Sequence, residues 1–224
     1  MAAKNGDVAS FCPACGTPAH AAGGVRKGLR RTVTVLFADI VGFTSLIDDM
    51  DCEDVRALQR DYFATVSAVV RAVGGVVEKY VGDAVMAIFD TPQVPEHAAA
   101  RAVRAGLAVQ RVLRGHPLAG RFTVATRVGI ATGEAIVECA AIRDGGQAML
   151  SGKVVSTAAR LQAYAPHDTV VVCAATRRAT DGSVAYQDLP AAAVPGRRQP
   201  LELWRVLDYA GGDVPARRVL LAGR

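Results

Sequence analysis

VVEKYVGDAVMAIF, residues 76–89, holds two runs of strand-forming residues parted only by Gly82 and Asp83. β-branched and aromatic side chains suit the pleated, half-buried surface of a sheet. A Gly-Asp pair between two such runs reads as a tight hairpin. The expectation is two strands, 76–81 and 84–89, with the carboxylate of Asp83 exposed at the tip. A second stretch, VLFADIVGFTSL at 35–46, extends a strand over 32–38 and follows it with Asp39, Gly42 and two hydroxyl residues. A carboxylate at a strand end costs free energy unless a cation or hydrogen-bond donors meet it. On that stretch alone, Asp39 reads as a cap on the next helix.

Working outward, Glu53 and Asp54 mark the first turn of a helix opened by Asp51 or Cys52. Val55, Leu58, Tyr62, Val66, Val69 and Val73 form its apolar stripe, and Gly74-Gly75 ends it. Pro92 and Pro95 precede a helix over 96–114. Strands are expected at 122–131 and 134–140, parted near Gly133. A helix over 152–164, a strand at 169–173, a short helix at 175–180 and a strand pair at 184–189 and 201–207 complete the pattern. Hairpins alternating with helices predict an α/β (α+β) fold, a mixed sheet with helices packed on it.

The chain has 224 residues and is 51% hydrophobic, enough for one domain with a real core. Residues 32–208 form that domain, with an N-terminal extension over 1–31 and a tail over 209–224. The net charge of +5 fits a solvated arginine-rich surface. No basic-aromatic motif of a nucleic-acid reader is present, and no apolar run reaches the ~18 residues of a membrane span. With five scattered cysteines and no signal peptide, the expected location is the cytoplasm. Cys12 and Cys15, with His20 beyond them, make half a zinc site, so a partial Zn²⁺ knuckle and a leftover segment both stay open. His97, His116 and His167 read as surface residues; Cys52, Cys139 and Cys173 as small buried hydrophobes; Trp204 as core.

If the first strand neighbours the hairpin, Asp39 and Asp83 face one spot. Two such carboxylates repel. A pair of Mg²⁺ or Mn²⁺ ions carrying a triphosphate resolves the repulsion. Backbone N–H groups of Val41, Gly42, Phe43 and Thr44 would then hold phosphate oxygens.

FADIVGFTSL, GGVVEKYVGDAVMAIF, RVGIATGEAIV and SGKVVSTAARLQ together resemble the class III adenylate/guanylate cyclase catalytic domain, in its bacterial form with an N-terminal zinc ribbon. The resemblance runs from about residue 31 to residue 207. It implies a ferredoxin-like nucleotidyl cyclase sandwich and a head-to-tail homodimer with active sites at the interface. It also implies a metal-contacting set of Asp39, Ile40 and Asp83, a base-reading Lys79, and Arg160 acting on the partner's substrate. The reaction implied is 3′-hydroxyl attack on the α-phosphate of ATP, giving cyclic AMP and pyrophosphate. An ammonium only donates, which suits adenine N1; guanylate-forming relatives place a glutamate at that position.

Three positions depart from the family pattern. Ser156 stands where an asparagine orients the ribose, and Met149 where a second base reader accepts a hydrogen bond. Pro195 stands where a lysine meets the terminal phosphates, leaving Arg197 or Arg198 as substitutes. These departures leave a second reading, a weakened domain that binds nucleotide or regulates a partner, and a third, a scaffold.

Overall fold

The computed structural model describes residues 29–89, 95–138, 149–193 and 200–210. Cys12, Cys15 and His20, Cys139, Pro195, Arg197 and Arg198 lie outside the described residues.

The first strand, β1, covers Leu29–Ile40, three residues earlier and two later than its apolar run suggests. Its residues from Val33 to Ala38 are all buried, as in a central strand covered on both faces. A short helix α1 (Phe43–Ile47) and the long α2 (Cys52–Ala72) follow. The hairpin strands are β2 (Val76–Val81) and β3 (Ala84–Phe89). Gly82 has φ of +63° and Asp83 has none of that kind, the pattern of a II′ turn with glycine first.

After α3 (Pro95–Gly115), β4 runs unbroken over Thr126–Glu138. The expected break near Gly133 does not occur. Gly133 pairs with Val33, and β4 matches β1 along all of that strand, so the ladder carries the glycine through. The three-residue β5 (Met149–Ser151) pairs with the end of β4. Helix α4 (Lys153–Tyr164), β6 (Thr169–Val172), α5 (Ala174–Ala179), β7 (Val184–Ala192) and β8 (Leu201–Tyr209) complete the described chain.

The sheet order is β2-β3-β1-β4-β6-β8-β7, with β5 on β4. β4 and β6 run parallel and the other neighbours antiparallel. Alternate β1 residues serve opposite faces. Leu36, Ala38 and Ile40 pack with Leu58, Tyr62 and Val66 of α2 and Val103 and Val109 of α3. Val33, Val35 and Phe37 pack with Val154, Ala158 and Leu161 of α4. This is the expected mixed α/β sandwich.

Two side-chain expectations change. Cys52 is exposed, because the first turn of α2 faces solvent, and Cys173 is only half-buried. Trp204 is half-buried against the core, with the Arg177 guanidinium over its ring at 5.1 Å. His97, His116 and His167 are exposed. Among the described residues no helix is long and apolar enough to cross a membrane.

Candidate active site

Antiparallel pairing of Ala38 with Val85 brings the end of β1 beside the β2–β3 turn, so Asp39 and Asp83 share one end of the sheet. Both are half-buried. Burial pushes the Asp39 carboxyl up to about 7 from 3.8. The Asp83 carboxylate adds to that rise by charge and by a hydrogen bond to Asp39, while Arg127 and Gln162 pull the other way. Asp39 therefore caps no helix. Gly42 precedes α1, which has no side-chain cap.

Both donors lie on the α4 face of the sheet. Arg127 lies directly across from Asp39 in the β1–β4 register, with Nη2 3.7 Å from Oδ2. Its Nη1 also donates to the Ala163 carbonyl at 3.2 Å. Gln162, buried on α4, donates from Nε2 to the same Oδ2 at 2.7 Å. On the other face of the sheet the buried Tyr62 hydroxyl has its acidity suppressed, by burial first and then by the two aspartates.

Arg127, Gln162 and Tyr62 escaped the sequence reading as site residues. A lone arginine inside the apolar run TRVGI needs a counter-charge, and that signal was present. Gln162 stands on the buried side of α4 beside Leu161, a polar residue where the pattern asks for an apolar one.

Two half-buried carboxylates at one end of a sheet repel each other, and a hard divalent cation with oxygen ligands relieves that repulsion. Among the described residues no group of three or more His, Cys, Asp or Glu side chains gathers for a metal. The amide of Val41 donates to the Ala125 carbonyl at 2.9 Å, so it is already used and drops out of the expected phosphate-holding set. Gly42, Phe43 and Thr44 sit at the start of α1, where no preceding turn supplies acceptors.

Lys79 follows a bulge in β2 at Glu78, and its Nζ lies 3.2 Å from Glu78 Oε1. The Glu78 side chain is 1% exposed and that of Lys79 39%, so a buried carboxylate anchors an accessible ammonium. Met149 opens β5, its backbone opposite Glu138. Ser156 and Arg160 stand on α4; Ser156 is exposed and its hydroxyl donates back to the Lys153 carbonyl at 3.1 Å. The cation that acts on Asp39 is Arg127, not Arg160.

The model of the adenylate and guanylate cyclase catalytic domain matches residues 25–207. An uncharacterised protein of Rhizobium meliloti is 33% identical over 189 residues, 84% of this chain and 18% of its own length. Adenylate cyclase 1 of the same organism is 30% identical over 190 residues, 82% of this chain and 29% of its own length. The chain thus spans under a third of these curated relatives. Among solved structures, the adenylyl cyclase CyaB from P. aeruginosa is 26% identical with a TM-score of 0.70, over 80% of this chain and 95% of its own. The guanylyl cyclase Cya2 shares the fold at 24% identity and a TM-score of 0.70, over 83% of this chain and 96% of its own. With paired aspartates at the strand end and hairpin turn, the chain belongs to the adenylate and guanylate cyclase catalytic-domain family.

Proposed function

We propose that this domain converts ATP to 3′,5′-cyclic AMP and pyrophosphate at the interface of a homodimer in the cytoplasm. The observation that carries the reading is the pair Asp39 and Asp83 at one end of the sheet, where burial first and then Asp83 raise the Asp39 carboxyl to about 7. Asp39, Asp83 and the Ile40 carbonyl would hold Mg²⁺ or Mn²⁺. Such ions lower the pKa of the attacking 3′-hydroxyl and neutralise the triphosphate. The ribose 3′-oxygen bonds to the α-phosphorus, the bond from that phosphorus to the bridging oxygen breaks, and pyrophosphate leaves.

Arg160 supplies donors to the charge that develops at the α-phosphate. Its place on α4, without action on its own Asp39, supports service to the partner's site. Lys79 donates to adenine N1 from its Glu78 anchor. A second reading, nucleotide binding with weak turnover, is favoured by Ser156, whose hydroxyl is occupied by its own helix. Misplacement of a substrate-positioning group by about 1 Å costs up to ~100-fold.

The test is product identity. Purified protein is incubated with ATP or GTP, with Mn²⁺ or Mg²⁺, and products are separated by chromatography. Cyclic AMP in excess of cyclic GMP is expected. Cyclic GMP alone overturns the base assignment, and ATP binding with no cyclic product moves the domain to the second reading.

A further inference from the structure

Helix α4 lies against β4 without the usual side-chain spacing. A Cβ at Gly129 would stand 2.2 Å from the Gln162 backbone nitrogen and 2.5 Å from the Ala158 carbonyl oxygen. That close approach delivers the Gln162 amide to Asp39, 123 residues earlier in the chain, at 2.7 Å. Arg127 reaches the same oxygen and also holds the end of α4 through Ala163. A buried amide and a half-buried guanidinium therefore converge on Oδ2.

We propose that Gln162 is a positioning residue for cation binding: it pins Oδ2 and so fixes the orientation in which the Asp39 carboxylate would meet a cation. The inference rests on Asp39 as a metal ligand, the reading given above. Carboxylate ligands are usually held by such outer hydrogen bonds, whose loss costs about 10- to 100-fold in metal affinity or activity. Gln162 has a further consequence here. Arg160 lies two residues earlier on α4, and with 100° per residue it points to nearly the opposite side. One helix thus fixes the aspartate of its own protomer and presents the arginine outward.

The probe is Mn²⁺ alone, titrated into the full chain and followed by the electron paramagnetic resonance signal of unbound Mn²⁺. Gln162→Met keeps side-chain length and helix preference but removes the donor. Val154→Ala loosens the same helix near its start and keeps the donor. Asp39→Asn tests the ligand itself. Circular dichroism checks that each variant is folded. The expected result is Mn²⁺ affinity lowered about 10-fold in Gln162→Met and little changed in Val154→Ala. Gln162→Met binding like wild type overturns the inference, as does Val154→Ala losing as much. If Asp39→Asn also binds like wild type, the functional reading falls with it.

Discussion

In the proposed reaction the Asp39 carboxyl is a metal ligand. In the folded chain it releases its proton at about 7, while an unhindered aspartate does so near 3.8. Between those values the folded state holds a proton that the unfolded chain has already lost. The stability tied to that proton is complete below about 3.8 and is lost as pH rises through about 7. Asp39→Asn cannot titrate. In the presence of a chelator, wild-type melting temperature should therefore fall relative to Asp39→Asn as pH rises from about 4 to about 7. Added Mn²⁺ should raise the wild-type melting temperature more at the alkaline end, where no proton competes. Equal pH slopes for the two proteins would show that Asp39 is not held this way. The two aspartates were legible in the sequence, because each sits beside a strand end where a carboxylate needs a reason. Arg127 and Gln162 stood out as polar residues in apolar runs, but their partner did not. Their roles come from strand register and helix placement across long sequence separations, which local pattern does not encode.

At the scale of elements, the β2–β3 hairpin was readable to the residue, since two apolar runs around Gly-Asp leave little other choice. Helix α2 was readable for the same kind of reason, with acids in its first turn and a regular apolar stripe. β4 was misread as two strands because a glycine in a strand weakens the local signal. Twelve paired residues of β1 override that signal. β5 is three residues long and gives no periodicity to detect. The most demanding element contact is α4 on β4 at Gly129. The atoms that a new Cβ would meet there are backbone, so they cannot rotate away. Gly129→Ala should cost roughly 3 kcal/mol and lower the melting temperature by roughly 10 °C, measured by urea and thermal unfolding. It should also weaken Mn²⁺ binding, because α4 carries Gln162 away from Asp39. Wild-type stability in that variant would mean that α4 sits farther from the sheet than described.

At the scale of the whole molecule, the proposed reaction divides its residues between the β1 end and helix α4. Asp39 and Asp83 lie where β1 ends beside the hairpin turn, while Arg160 is carried by α4 and is not among the groups that act on its own Asp39. Such a division is useful only if a second copy closes the site, and a two-fold dimer closes two at once. The most direct measurement is cyclic AMP production by Asp39→Ala, by Arg160→Ala and by the two co-expressed, each with Mn²⁺ and ATP. Each variant alone should be silent. Half of all dimers would pair one variant with the other and carry one intact site of two, so the mixture should recover about a quarter of wild-type activity. A mixture as silent as its parts, or a single variant that retains activity, would contradict a metal centre completed by the partner's arginine.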